Sequence, residues 1–145
     1  MQIMPDSPVA LRDLLMTATR TLRRRWHDIL QPWELSPHEH RALRVIGSAD
    51  EAIRLGVVAK SLRIVPRAAT EVVDRLESRG LTERLPDPAD RRAVCVRLTT
   101  EGRRVLAELD TARDAEAVEV FARLDDDDRA ELGRLLRKLI DDQPS

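Results

Sequence analysis

Apolar residues recur at spacings of three and four across residues 9–30, through Leu11, Leu14, Leu15, Ala18, Leu22, Trp26, Ile29 and Leu30. That is the period of an amphipathic helix, and Pro32 ends it. Ser36-Pro37-His38-Glu39 then reads as a second helix start: Ser36 can cap, Pro37 fits the first position, and Glu39 completes a capping box. This helix runs to about Ile46, near Gly47. A third, short helix is expected over residues 53–62, with Leu55, Val58, Ala59 and Leu62 on its inner face and Gly56 as a weak point. Arg63-Ile64-Val65 forms a turn, and a fourth helix runs from Pro66 to a C′ glycine at Gly80, burying Ala69, Val72, Val73 and Leu76. A short helix, a tight turn and a longer helix give helix-turn-helix spacing.

Beyond Gly80 the period changes. Residues 81–85 and 93–98 read as short strands, the second alternating Val94, Val96 and Leu98 against Ala93, Cys95 and Arg97. Between them lies Pro86-Asp87-Pro88-Ala89-Asp90-Arg91-Arg92, a proline-stiffened loop too long for a two-residue turn, so the pair makes a hairpin with an extended basic tip. Thr99 or Thr100 caps a fifth helix, with Glu101 in its first turn, which extends through Phe121. The acidic run from Asp125 to Asp128 opens a sixth, with Leu132, Leu135, Leu136 and Leu139 as its stripe. The expected fold is mainly α with a small β-hairpin wing: a winged helix-turn-helix over residues 36–104, flanked by terminal helices over 1–31 and 105–145, within a single domain.

Composition narrows the function classes. The 145 residues hold no apolar stretch near the ~20 residues that a membrane-spanning helix needs. Asp6, Asp13 and Asp28 interrupt the first thirty residues, unlike a signal sequence. A single cysteine, Cys95, precludes an intramolecular disulfide and suits a reducing compartment, so a cytoplasmic protein without membrane contact is expected. Nucleophile–base pairs, a phosphate-binding glycine loop and metal-ligand spacings do not emerge, so neither an enzyme nor a bound cofactor is expected. The four consecutive aspartates read as a cap and a solvated face, not a metal site. His38 and His40, two apart on a helix, face different ways, so with Glu39 and His27 they make a poor metal set.

The net charge of −1 conceals a segregation. Between Arg54 and Arg104 there are twelve Lys and Arg against seven Asp and Glu, while the remainder carries thirteen against nineteen. A basic middle between acidic flanks fits a protein whose middle faces a polyanion. The fourth helix is of the width the major groove admits, and its first turns present Pro66, Arg67, Ala68, Thr70 and Glu71 towards base edges. Arg67 can bind guanine through two hydrogen bonds, Thr70 suits a base or a phosphate, and Glu71 accepts from a cytosine amino group or a basic neighbour. Lys60 and Arg63 are placed for phosphates, and Arg91 and Arg92 at the hairpin tip for a minor groove.

These features closely resemble the MarR family of bacterial winged helix-turn-helix regulators. Three motifs in order carry the resemblance: Val73-Asp74-Arg75-Leu76-Glu77-Ser78-Arg79-Gly80-Leu81, then Asp87-Pro88-Ala89-Asp90-Arg91-Arg92-Ala93, then Leu98-Thr99-Thr100-Glu101-Gly102. The resemblance implies a homodimer in which the first, fifth and sixth helices interlock. Each subunit would then present one winged helix to half of a pseudo-palindromic operator in double-stranded DNA, with half-sites ~10 bp apart. It implies repression relieved by a small-molecule effector, and gives Asp74 and Asp90 the task of supporting the wing, Asp74 by pairing with Arg92. Trp26, Trp33 and His38 are candidates to line an effector pocket, with core or interface packing the plainer reading for Trp26. Val65 and Glu71 depart from the family, which often has Ser or Thr before the reading helix and a basic residue at the second position. Cys95, in a wing strand and without tyrosine partners, reads as structural rather than as a redox sensor. The competing class is a winged helix that serves only protein interaction or dimerisation, which has no reason to keep Arg67, Arg91 and Arg92 basic.

Overall fold

The computed structural model describes residues 4–141. Helix α1 (Pro8–Leu30) starts where Ser7 accepts a hydrogen bond from the Ala10 amide and Pro8 takes the first position. Its end passes into a 3-10 turn (Gln31–Trp33), which Glu34 closes in the left-handed region at φ 52°. Helix α2 (Pro37–Gly47) begins as expected, with the Glu39 amide donating to Ser36 Oγ at 3.1 Å. The reciprocal half of the capping box is replaced: the Glu39 carboxylate turns to Arg75 and Arg79.

Residues 53–62 are not all helix. Ile53–Arg54 form a short strand, β1, and α3 runs from Leu55 to Leu62. Arg63, at φ 56°, ends α3, and α4 (Pro66–Ser78) follows, with no side-chain cap from Val65. At its end Gly80 adopts φ 73°; its amide donates to Glu77 O, and the Leu81 amide donates to Leu76 O. These bonds satisfy the last carbonyls of α4 and turn the chain into β2 (Thr82–Pro86). Strand β3 (Val94–Leu98) pairs antiparallel with β2, Leu85 opposite Cys95, and with β1, Ile53 opposite Val96, so the sheet order is β1-β3-β2. The expected alternation of β3 is broken: Cys95 is buried together with Val96 and Leu98, while Val94 is exposed.

Helix α5 (Thr100–Val120) is capped by Thr99, whose Oγ accepts from the Gly102 amide. Gly102 is obligatory here, because a Cβ would lie 1.9 Å from the Leu81 carbonyl oxygen. The core joins Leu30, Leu43, Ile46, Val58, Leu62, Val72, Val73, Leu76, Val96, Leu98 and Leu109. This mainly helical winged fold, up to Asp110, is one compact unit. Residues from Thr111 form a second: the end of α5, a 3-10 turn (Phe121–Arg123) and α6 (Asp126–Asp141), where Asp125 caps by accepting from the Asp128 amide. Of the expected terminal segments, residues 1–3 and 142–145 lie outside the described residues.

Candidate nucleic-acid interface

The buried stripe of α4 (Ala69, Val72, Val73, Leu76) fixes which side chains point away from the core. Arg67, Thr70 and Glu71 are exposed, Pro66 is exposed at the helix start, and Ala68 is half-buried. Arg67 extends into solvent with its side chain 91% exposed, and its Nε lies 3.9 Å from Glu71 Oε1. Glu71 thus has the basic neighbour that an acceptor-only group requires. Thr70 Oγ donates to the Pro66 carbonyl at 3.1 Å, which leaves it to act outward as an acceptor or through its methyl group. Lys60 and Arg63 are exposed at the end of α3. Among the described residues, neither of them nor Arg91 or Arg92 forms an ion pair.

The wing is held by turns rather than by a second core. The Asp90 carboxylate accepts from the Arg92 amide at 3.0 Å, and its carbonyl accepts from the Ala93 amide, folding the tip so that Arg91 and Arg92 project. At the root, Asp87 Oδ1 accepts from the Ala89 amide at 2.8 Å and Asp87 Oδ2 accepts from Arg54 Nε at 2.6 Å. The Ala89 amide and then the Arg54 guanidinium hold the Asp87 carboxyl below its ordinary value, and Asp87 in turn raises Arg54.

The expected Asp74–Arg92 pair gives way to another. Asp74 meets Arg84 on β2, and Glu77 shares the same guanidinium. Arg84 loses hydration here, yet the two carboxylates raise its pKa. The reading helix is therefore tied to the wing strand β2 rather than to the tip. Arg54, Arg84 and Asp87 were not singled out in the sequence, because each partner lies seven to thirty-three residues away.

The residues expected around an effector fall in two settings. Trp26 stacks edge-on against buried His40, with centroids 4.8 Å apart, and packs on the core. Trp33 and His38 are half-buried, and Trp33 Nε1 donates to Glu108 Oε2 at 3.2 Å. An open groove of about 470 Å³ is lined instead by Arg41, Arg44, Val45, Leu106 and Asp110.

The MarR family model matches residues 35–94, the whole of the winged helix up to β3. Wild-type MarR from E. coli in its apo form superposes with a TM-score of 0.78 at 28% identity, covering 96% of this chain and 98% of that one. In sequence and in fold the chain is similar to the MarR family. The chain is also similar to the HTH-type transcriptional regulator YsmB of Bacillus subtilis, 26% identical over 118 residues, 81% of this chain and 80% of the relative. A mutant E. coli MarR complexed with operator DNA also matches, with a TM-score of 0.74 at 27% identity, over 95% of this chain and 99% of that one. The MarR proteins matched are transcriptional regulators. Among the described residues no helix is long and apolar enough to cross a membrane.

Proposed function

We propose that this protein is a regulator of the MarR family that binds specific sequences in double-stranded DNA as a homodimer and represses by occluding a promoter. The observation that carries this reading is a set of exposed cations with no ionic partner at the end of α3 and at the wing tip, flanking a reading helix whose outer face is polar. Lys60, Arg63 and the wing arginines Arg91 and Arg92 bind phosphates and the minor groove, and Arg67, Thr70 and Glu71 meet base edges, with Pro66 and Ala68 setting the close approach of α4. Asp74 and Asp90 support the wing, through Arg84 and through the tip turn. The winged helix of residues 36–104 reads the DNA, and the segments 1–31 and 105–145 dimerise. Apolar side chains left exposed on α1 (Leu11, Leu14, Leu15) and on α6 (Leu139, Ile140) support a covering second copy. The protein acts in the cytoplasm by binding rather than by catalysis, and a small-molecule effector acts at the α1–α2 junction beside Trp33 and His38.

The test is an anisotropy titration of the purified protein against the intergenic DNA upstream of its own gene, with unrelated competitor DNA. Saturable binding that survives competitor is the expected result. Binding that the competitor abolishes would favour a winged helix used only for protein interaction.

A further inference from the structure

Arg79, the residue after α4, leaves the reading helix and attaches to a different part of the fold. Its guanidinium donates to the Glu34 carbonyl at 2.8 Å and to the Trp33 carbonyl, and lies 3.8 Å from Glu39 Oε2. Glu39 is buried on the first turn of α2 and also holds Arg75 of α4 at 3.4 Å. Glu34 is fixed in the left-handed region, so the two carbonyls Arg79 grips belong to a single tight turn, not to a mobile loop. The same turn is anchored on its other side. Trp33 Nε1 donates to Glu108 Oε2, and Glu108 Oε1 accepts from Arg104, so the turn is bonded to α5. A continuous path of charge-assisted hydrogen bonds thus runs from the C-terminus of the reading helix through the α1–α2 junction to α5. A planar, forked guanidinium can serve two carbonyls and a carboxylate at once, which a lysine ammonium on a flexible stem does less well.

We infer that Arg79 is a positioning residue that locks the angle of the reading helix to the α1–α2 junction, and so sets which half-site spacing the dimer accepts. This rests on the proposed function, since spacing matters only to a dimeric DNA reader. Arg79 lies at the opposite end of α4 from Pro66 and Arg67, so its loss leaves the base-contacting residues in place. With the lock in place, the two reading helices of a dimer are held at a fixed separation, and inserting or deleting a base pair between half-sites rotates one of them off its groove. Without it, each α4 tilts independently and the penalty for wrong spacing shrinks.

The experiment uses the full-length protein and the duplex bound in the titration above, its half-sites located by footprinting, with variants carrying one or two base pairs inserted or deleted between the half-sites. Wild type should lose about tenfold in affinity per base pair changed, whereas Arg79→Ala and Arg79→Lys should lose less than about threefold. Circular dichroism melts and the mass of the dimer establish that each variant is folded; should Arg79→Ala not fold, Arg79→Lys is read in its place. A uniform loss across all spacings, or a spacing profile identical to wild type, would overturn the inference. Amide exchange of the free proteins separates this from a failure of the proposed function. Even if wild type binds no DNA, the lock requires that Arg79→Lys raise exchange in residues 31–35 together with 70–78, and a rise confined to either segment counts against it.

Discussion

Asp87 illustrates how a single carboxylate can hold in place a loop proposed to meet DNA. It joins the root of the wing to β1 through Arg54, and its own loop through the Ala89 amide. A carboxyl held below its ordinary value contributes stability that is present above the ordinary pKa of 3.8 and is lost as pH falls through the lower, folded value. The clamp is therefore complete at neutral and mildly acidic pH, and DNA affinity should not titrate through Asp87 between about pH 5 and 8. Asp87→Asn keeps the shape but removes the charge, and should weaken DNA binding roughly tenfold at neutral pH with the dimer unchanged, as measured by anisotropy and sedimentation. Arg67 acts at the opposite limit: it is almost fully exposed and pairs with Glu71 on its own helix, not with another element. Arg67→Ala should lower the preference for one base by about 1–3 kcal/mol while scarcely changing binding to random duplex, which a panel of single-base operator variants would reveal.

Among the elements, α4 is the one whose ends are specified most differently. Its C-terminus is closed by Gly80 with two backbone bonds, whereas its N-terminus begins at Val65, in the extended conformation of a cap residue but without a capping oxygen. Val65 is 66% exposed, so replacing it costs little packing. Val65→Ser should stabilise the protein by about 1 kcal/mol, seen as a higher urea midpoint at unchanged slope. A midpoint that does not rise would mean that Pro66 already supplies all the order available at this end. The helix ends were legible in the sequence for the same reason that this substitution is predictable: Ser36, Pro66, Gly80 and Asp125 act on amides and carbonyls within four residues. Strand β1 was not legible. Two residues carry no alternation, and Ile53 and Arg54 are a strand only because β3 pairs with them from more than forty residues away. The outward face of α4 and the basic tip followed from periodicity. The ties that orient them, Arg54 to Asp87, Arg84 to Asp74 and Arg79 to Glu34, did not, since any of several arginines and acids could have matched until the topology chose.

At the scale of the whole molecule, the described residues leave an apolar surface and a cationic one uncovered, and each makes a separate claim about assembly. On α1, Leu11, Leu14 and Leu15 are about half exposed, and a charge among them should prevent a second copy from covering them. Leu14→Asp is expected to sediment as a monomer and to bind a full operator no better than a half-site. A dimer of unchanged stability would move the interface elsewhere. The cationic surface makes a quantitative claim. Each subunit offers Lys60, Arg63, Arg91 and Arg92 without an ionic partner. If a dimer places all of these on phosphates, it neutralises about eight charges, and the logarithm of the binding constant should fall with the logarithm of salt at a slope of about −7. Arg92→Ala removes one contact per subunit and should reduce that slope by about 2, besides weakening binding strongly, with the dimer intact because the wing tip lies far along the chain from α1. The slope distinguishes a lost contact from a disturbed fold: a variant that merely loosens the wing without removing a charge, such as Asp87→Asn, should lose affinity with a much smaller change in slope. An Arg92→Ala protein that bound more weakly at every salt concentration with an unaltered slope would show that Arg92 acts within the wing rather than on the phosphate backbone.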